Sequence, residues 1–301
     1  MGARASGDAK TRAARVSVYS NSGLTAAKLG AAVLTGSVSV LSEALHSGLD
    51  LAAAVMAWAA VRRAREPADS DHQFGHGKFE SMSGLAEGSL ILIAVALIVY
   101  SAVSRLVRGE VAVAIPVVGA AVMGLSAVAN AFVSRLLFRV ARETDSVALE
   151  ADGWHLRTDV WTSGGVLCGM VVIAVAQRLG LHAAAVVDPV IALGVGAVIA
   201  HAAWNITRRS WDHLIDRALP AEELEQIRAL LREHYPELSS FHRLRTRKAG
   251  SQRYIDLHLV VPGARSVTEA HRLCDHLEVD LRRLFPDAEV MIHVEPRRED
   301  E

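Results

Sequence analysis

Up to about Arg209, long apolar stretches alternate with short charged links, whereas from Trp211 onward charged residues recur every few positions. A helix that crosses the hydrocarbon core of a bilayer needs roughly 20 mostly apolar residues. Six segments offer that: about 16–35, 38–61, 84–104, 111–134, 147–177 and 187–207. Nothing after Trp211 does. The pattern predicts an α-helical membrane protein, with a six-transmembrane-helix bundle over residues 1–210 and a small cytosolic α/β domain over 211–301.

The third, fourth and sixth segments are plain hydrophobic runs. The first carries Asn21 and Lys28, the second Glu43, His46 and Asp50, and the fifth Glu150, Asp152, His155 and Asp159. Ionisable side chains are costly against lipid, so these should face one another or water. Orientation follows from the basic residues of the connections. Lys10, Arg12, Arg15, Arg62, Arg63, Arg65, Lys78, Arg135, Arg139, Arg142, Arg208 and Arg209 fall on one side, against Arg105, Arg108 and Arg178 on the other. Both termini are therefore expected in the cytosol, in a multi-pass protein of a bacterial inner membrane. The opening MGARASGDAKTRAARVS lacks the apolar core of a signal peptide and reads as a cytosolic tail.

A formal net charge of -1, with the arginines in short clusters, gives no basic face for nucleic acid. Cys168 and Cys274 fall in different halves, which argues against a disulfide framework or a thiolate zinc site.

His46 and Asp50 are four residues apart, and so are His155 and Asp159. Four positions return a helical side chain to nearly the same face one turn along, so each pair can offer a nitrogen and an oxygen to one point. Two such helices face to face supply four ligands, which suits a tetrahedral zinc ion. The plainer alternative is that each is an independent packing or capping residue. Between the second and third segments, Asp69, His72 and His76 have spacings that suit a metal in a turn, or a merely solvated loop. The tail reads as a helix (AEELEQIRALLREHY), two alternating strands (FHRLRTRK and QRYIDLHLVV), a second helix and a last strand (AEVMIHVEP). That αββαβ order implies a two-layer sandwich. Its His242, His258, His271, His293 and Glu295 are more potential ligands than a domain of this size usually carries.

Taken together, LSEALHSGLD, PADSDHQFGHGKFES, ADGWHLRTDVWTS, IDLHL, EAHRLCDHLE and VMIHVEP resemble the cation diffusion facilitator family over essentially the whole chain. The resemblance implies a proton-coupled exporter of divalent transition metals, not an enzyme, that works as a homodimer in the lipid bilayer with a cytosolic metal-binding domain. It implies a transport site of His46, Asp50, His155 and Asp159, a loop site of Asp69, His72 and His76, and a cytosolic cluster of His242, His258, His271, His293 and Glu295. It also implies that Lys78 pairs with an acidic residue after the sixth helix, Asp216 or Asp212. A His at position 46 is similar to the zinc-preferring members, since others with Asp there accept cadmium or iron more readily. Glu295 stands where some relatives have the shorter Asp.

Zn2+ is thus the expected substrate and regulatory ligand, with Fe2+, Mn2+, Co2+ or Cd2+ as alternatives, and no prosthetic group is expected. Neutral imidazole binds metal and protonated imidazole does not, so protons arriving at His46 and His155 would displace the ion. Two rivals are an intramembrane zinc enzyme, for which Glu43 or Glu150 would have to serve as acid or base without a His-Glu-x-x-His pattern, and a metal sensor that does not transport.

Overall fold

The computed structural model describes residues 3–36, 38–108, 117–178, 184–234 and 240–297. The chain divides into two compact units, Gly7–Trp211 and one built on Asp212–Glu301.

Six long helices make up the first unit: α1 (Ala3–Thr35), α2 (Val38–Ala64), α3 (Lys78–Arg108), α4 (Val117–Thr144), α5 (Val147–Arg178) and α6 (Ala184–Leu214). Each has 27 to 33 residues, about 40–50 Å at 1.5 Å per residue, longer than the hydrocarbon core is thick. Among the described residues, four stretches are apolar enough to cross a membrane by length and composition: Glu43–Ala64, Lys78–Arg108, Ala120–Thr144 and Pro189–Leu214. Several polar and ionisable residues of α1 and α5 turn inward: Lys28, Asp152 and Asn21 are buried. The expected start of the fourth segment, 111–116, lies outside the described residues.

Helix α1 begins at Ala3, well before the membrane span expected from about residue 16, and its residues 10–14 pack against the bundle. Ala13 and Ala14 join a core with Val61, Leu137, Leu149 and Leu156. Lys10 is buried beside them and donates to Glu80 Oε1 at 2.8 Å, while Ser146 donates to Glu80 Oε2 at 2.5 Å. One carboxylate thereby ties α1, α3 and the start of α5 together.

Helix α5 packs against α2, α3 and α4. Helix α3 meets α6 through two glycines one turn apart. A Cβ on Gly84 would lie 2.6 Å from Ser210 Oγ, and one on Gly88 would lie 2.4 Å from Thr207 Oγ1. Only a bare backbone permits this approach, the small-xxx-small device by which membrane helices pack where no hydrophobic force drives them together.

The second unit comprises α7 (Ala221–His234), β1 (Ser240–Ala249), β2 (Gln252–Val261), α8 (Val267–Leu284) and β3 (Ala288–Pro296), the αββαβ order expected. The sheet runs β1-β2-β3. The β1–β2 pair is an antiparallel hairpin turning at Gly250, whose φ of +61° suits glycine. The β2–β3 pair is parallel, so α8 forms the crossover. Ser266 and Glu269 close a capping box at the start of α8, satisfying amides that the first turn leaves open. Ile227, Leu231, Ile255, Leu257, Leu277 and Leu281 fill the core between helices and sheet.

Candidate metal centres

Within the bundle, the two helical pairs meet. His155 Nε2 on α5 lies 3.2 Å from Asp50 Oδ1 on α2, and His46 Nε2 on α2 lies 3.9 Å from both Asp50 Oδ1 and Asp159 Oδ1. One ligand atom from each of His46, Asp50 and Asp159 falls within a 4.8 Å sphere of mutual separations, and His155 approaches through Asp50. His46, Asp50 and Asp159 line part of a cavity of about 210 Å3. Asp50 is buried and His46 is exposed at 56% of its side chain, so the group is open on one side and closed on the other.

Sequence reasoning missed Asn130 of α4. Its Nδ2 donates to Asp159 Oδ2 at 3.4 Å, fixing the carboxylate from behind, and its Oδ1 is buried without a hydrogen-bond partner. A lone Asn in the apolar run AVANAFVS is the signal that could have found it, since a polar side chain at membrane depth needs a reason.

The loop residues also converge. Asp69 Oδ1 accepts from the backbone amides of His72 at 2.7 Å and Asp71 at 3.0 Å. Those bonds, the one from His72 foremost, hold its carboxyl below the usual range. His72 Nδ1 lies 3.3 Å from Asp69 Oδ1, and His76 Nε2 lies 3.2 Å from Asp69 Oδ2. His76 is buried, and that nitrogen faces the carboxylate without hydrogen-bond alignment. A buried ring nitrogen beside an acceptor is the arrangement a cation placed between them would satisfy.

In the second unit, strand register aligns His242 with His258 and His258 with His293. The three rings form a row, with centroids 5.2 and 4.7 Å apart. Glu295 reaches all three: 2.8 Å to His258 Nδ1, 3.3 Å to His242 Nε2 and 3.6 Å to His293 Nε2. The hydrogen bond from His258, together with the neighbouring imidazoles, lowers its pKa. His271 does not join this row. It sits exposed on α8 and pairs with Asp275 at 3.7 Å, one turn along. Of the acids expected opposite Lys78, Asp216 accepts from Arg247 at 3.3 Å and Asp212 pairs with Arg217.

Residues 14–215 match the family model of the cation efflux transmembrane domain, and residues 219–297 match that of the cation efflux protein cytoplasmic domain. The transporter sll1263 of Synechocystis sp. is 38% identical over 275 residues, covering 89% of this chain and 84% of its own. The cation-efflux pump FieF of Pectobacterium atrosepticum is 34% identical over 262 residues, covering 87% of this chain and 84% of its own. Among solved structures, the metal-bound C-terminal domain of the CzcD transporter from Thermotoga maritima shares 34% identity. It covers 26% of this chain and 94% of that one, with a TM-score of 0.24.

Proposed function

Because this chain belongs to the cation diffusion facilitator family of divalent metal transporters, we propose that its substrate is Zn2+, which it moves out of the cytosol in exchange for protons. One observation carries the choice of site and ion. Four ligands about 2.0–2.1 Å from a tetrahedral zinc stand about 3.3 Å from one another. The His155–Asp50, His46–Asp50 and His46–Asp159 separations of 3.2, 3.9 and 3.9 Å lie close to that edge length, and His155 has to close on the group of His46, Asp50 and Asp159 to complete the four.

His46, Asp50, His155 and Asp159 hold the ion, two nitrogens balancing two oxygens. Asn130 orients Asp159. Protons entering from the far side compete for the imidazoles and release the ion, which couples its exit to proton entry. Rocking of the helices that carry the site then alternates access. Residues 1–210 form the transport unit, and residues 211–301 a cytosolic metal-binding unit that dimerises and senses zinc through the row of His242, His258 and His293 with Glu295. The Asp69, His72 and His76 group is a separate binding point on the loop. Both termini face the cytosol of a bacterial inner membrane. The rival reading of an intramembrane zinc enzyme falls away, since the family's members transport cations.

Purified protein in liposomes with an enclosed zinc-responsive dye tests this. Zinc should move when an opposing proton gradient is imposed, and Asp159→Ala should abolish movement while still inserting, because losing a charge makes insertion easier. Zinc flux at the unaltered rate in Asp159→Ala refutes the site, and flux indifferent to the gradient refutes proton exchange.

A further inference from the structure

The cavity lined by His46, Asp50 and Asp159 is lined by Lys28 and Glu43 as well. Lys28 of α1 is buried, with its Nζ 3.4 Å from Glu43 Oε2 of α2 and donating to Ser47 Oγ at 2.7 Å. Three residues earlier, Thr25 Oγ1 donates to the Ser47 carbonyl at 2.9 Å, pinning the two helices at this level. An ammonium at membrane depth is expensive unless it is paired, and it marks a functional path more often than a brace. Neither Lys28 nor Glu43 is one of the four ligands.

Their place along the helices is informative. Glu43 lies in the second turn of α2, between the ligands and the α1–α2 connection, while Lys28, toward the Thr35 end of α1, carries its ammonium to the level of Ser47. At 1.5 Å per residue, Glu43 is displaced from His46 by about 4.5 Å along α2 and from Asp50 by about 10 Å. Glu43 is 34% exposed and His46 56%, against 6% for Asp50, so Glu43 and His46 share the open mouth of the cavity and Asp50 its closed end. In the orientation proposed above, that mouth opens outward.

We propose that Lys28 and Glu43 form a charge pair at the outward mouth that sets how tightly the transported ion is held. This rests on the four-ligand reading of the transport site. Two aspartates and two imidazoles can bind zinc so well that release becomes the difficult step, and a transport site must bind weakly enough to let go. Glu43 attracts the divalent ion and gives it a stepping point on the way out. Lys28 repels it and holds Glu43 in check, so the ion does not settle there. A unit charge about 10 Å from a divalent ion, at an effective dielectric near 20 and after partial screening, is worth roughly a tenfold change in affinity or more.

The signs make the proposal testable. Zn2+ binding to the full-length protein in detergent is titrated against a chromophoric chelator, and the component that disappears in Asp159→Ala defines the site. If Asp159→Ala removes no component, the four-ligand reading fails, and this inference with it. If the component is present, Lys28→Met should lower its Kd about tenfold and Glu43→Gln should raise it about tenfold. Lys28→Arg and the Lys28→Met/Glu43→Gln double variant should stay near the unaltered value. A pair that merely braces α1 against α2 would give shifts of one sign, or none, and either result overturns the proposal. Should Lys28→Met fail to fold, Glu43→Gln decides alone, an unchanged Kd refuting the assignment.

Discussion

Replacing His258 tests the row of histidines in the second unit at its centre. Its Nδ1 makes the shortest contact to Glu295, 2.8 Å, and its ring stands between those of His242 and His293. Alanine there removes the middle donor and leaves the outer two bridged only through Glu295. A ligand that binds the native state alone stabilises it by about 2.7 kcal/mol when its free concentration is 100 times Kd. For a domain of roughly 90 residues, each kcal/mol moves Tm by about 4–8 °C, so zinc should raise Tm by roughly 10–20 °C. The fragment from Trp211 to Glu301 suits the assay, because α7 and α8 close a complete core on the sheet. Scanning calorimetry with and without zinc should show the full shift in the unaltered fragment and almost none in His258→Ala. The shift should fade in mild acid as protons compete for the imidazoles. Glu295 adds a separate dependence in the metal-free fragment. Its folded pKa is lowered, so its contribution is complete above its unfolded value of 4.5 and is lost as pH falls through the lower folded one. A Tm indifferent to zinc in the unaltered fragment would refute the reasoning, as would an undiminished shift in His258→Ala.

His46→Asp should keep zinc transport and broaden selectivity toward cadmium, because exchanging nitrogen for oxygen alters ligand softness and geometric tolerance. An unchanged zinc-to-cadmium flux ratio in liposomes would count against His46 as a ligand. Lys10→Ala leaves Glu80 buried without its ammonium and should cost about 3–5 kcal/mol, whereas Lys10→Met with Glu80→Gln should recover most of the loss. Thermal unfolding in detergent measures both, and equal loss in the two variants would show that packing, not charge, holds α1 in place.

Hydrophobic length was enough to outline the bundle, and α5 runs from Val147 to Arg178 where the pattern had put 147–177. The tail up to residue 16 was illegible because Lys10 reads as a solvated charge until Glu80, seventy residues away, is seen beside it. Gly84 and Gly88 passed as two small residues in an apolar run. Their meaning lies in the proximity of Ser210 and Thr207, which the local sequence does not contain. The His-x-x-x-Asp pairs were readable because helical spacing is local, but nothing local reported that α2 and α5 face each other, or that Asn130 backs Asp159. His271 was grouped with the other tail histidines first by their density in a short domain and then by resemblance. Within one chain its helix points it to Asp275.

The alignment of His242, His258 and His293 across three strands would make an ion bound there, as proposed, a proofreader of topology. One hairpin and one crossover bring those rings into a row, and side chains alternate faces along every strand. A slip of β3 by a single residue would present Ile292 or Val294 in place of His293 and turn Glu295 to the opposite face. A chain paired in the wrong register cannot hold the metal in this way. A metal held by this row would therefore favour, among the compact arrangements this sheet can sample, the one in which every strand has been counted correctly.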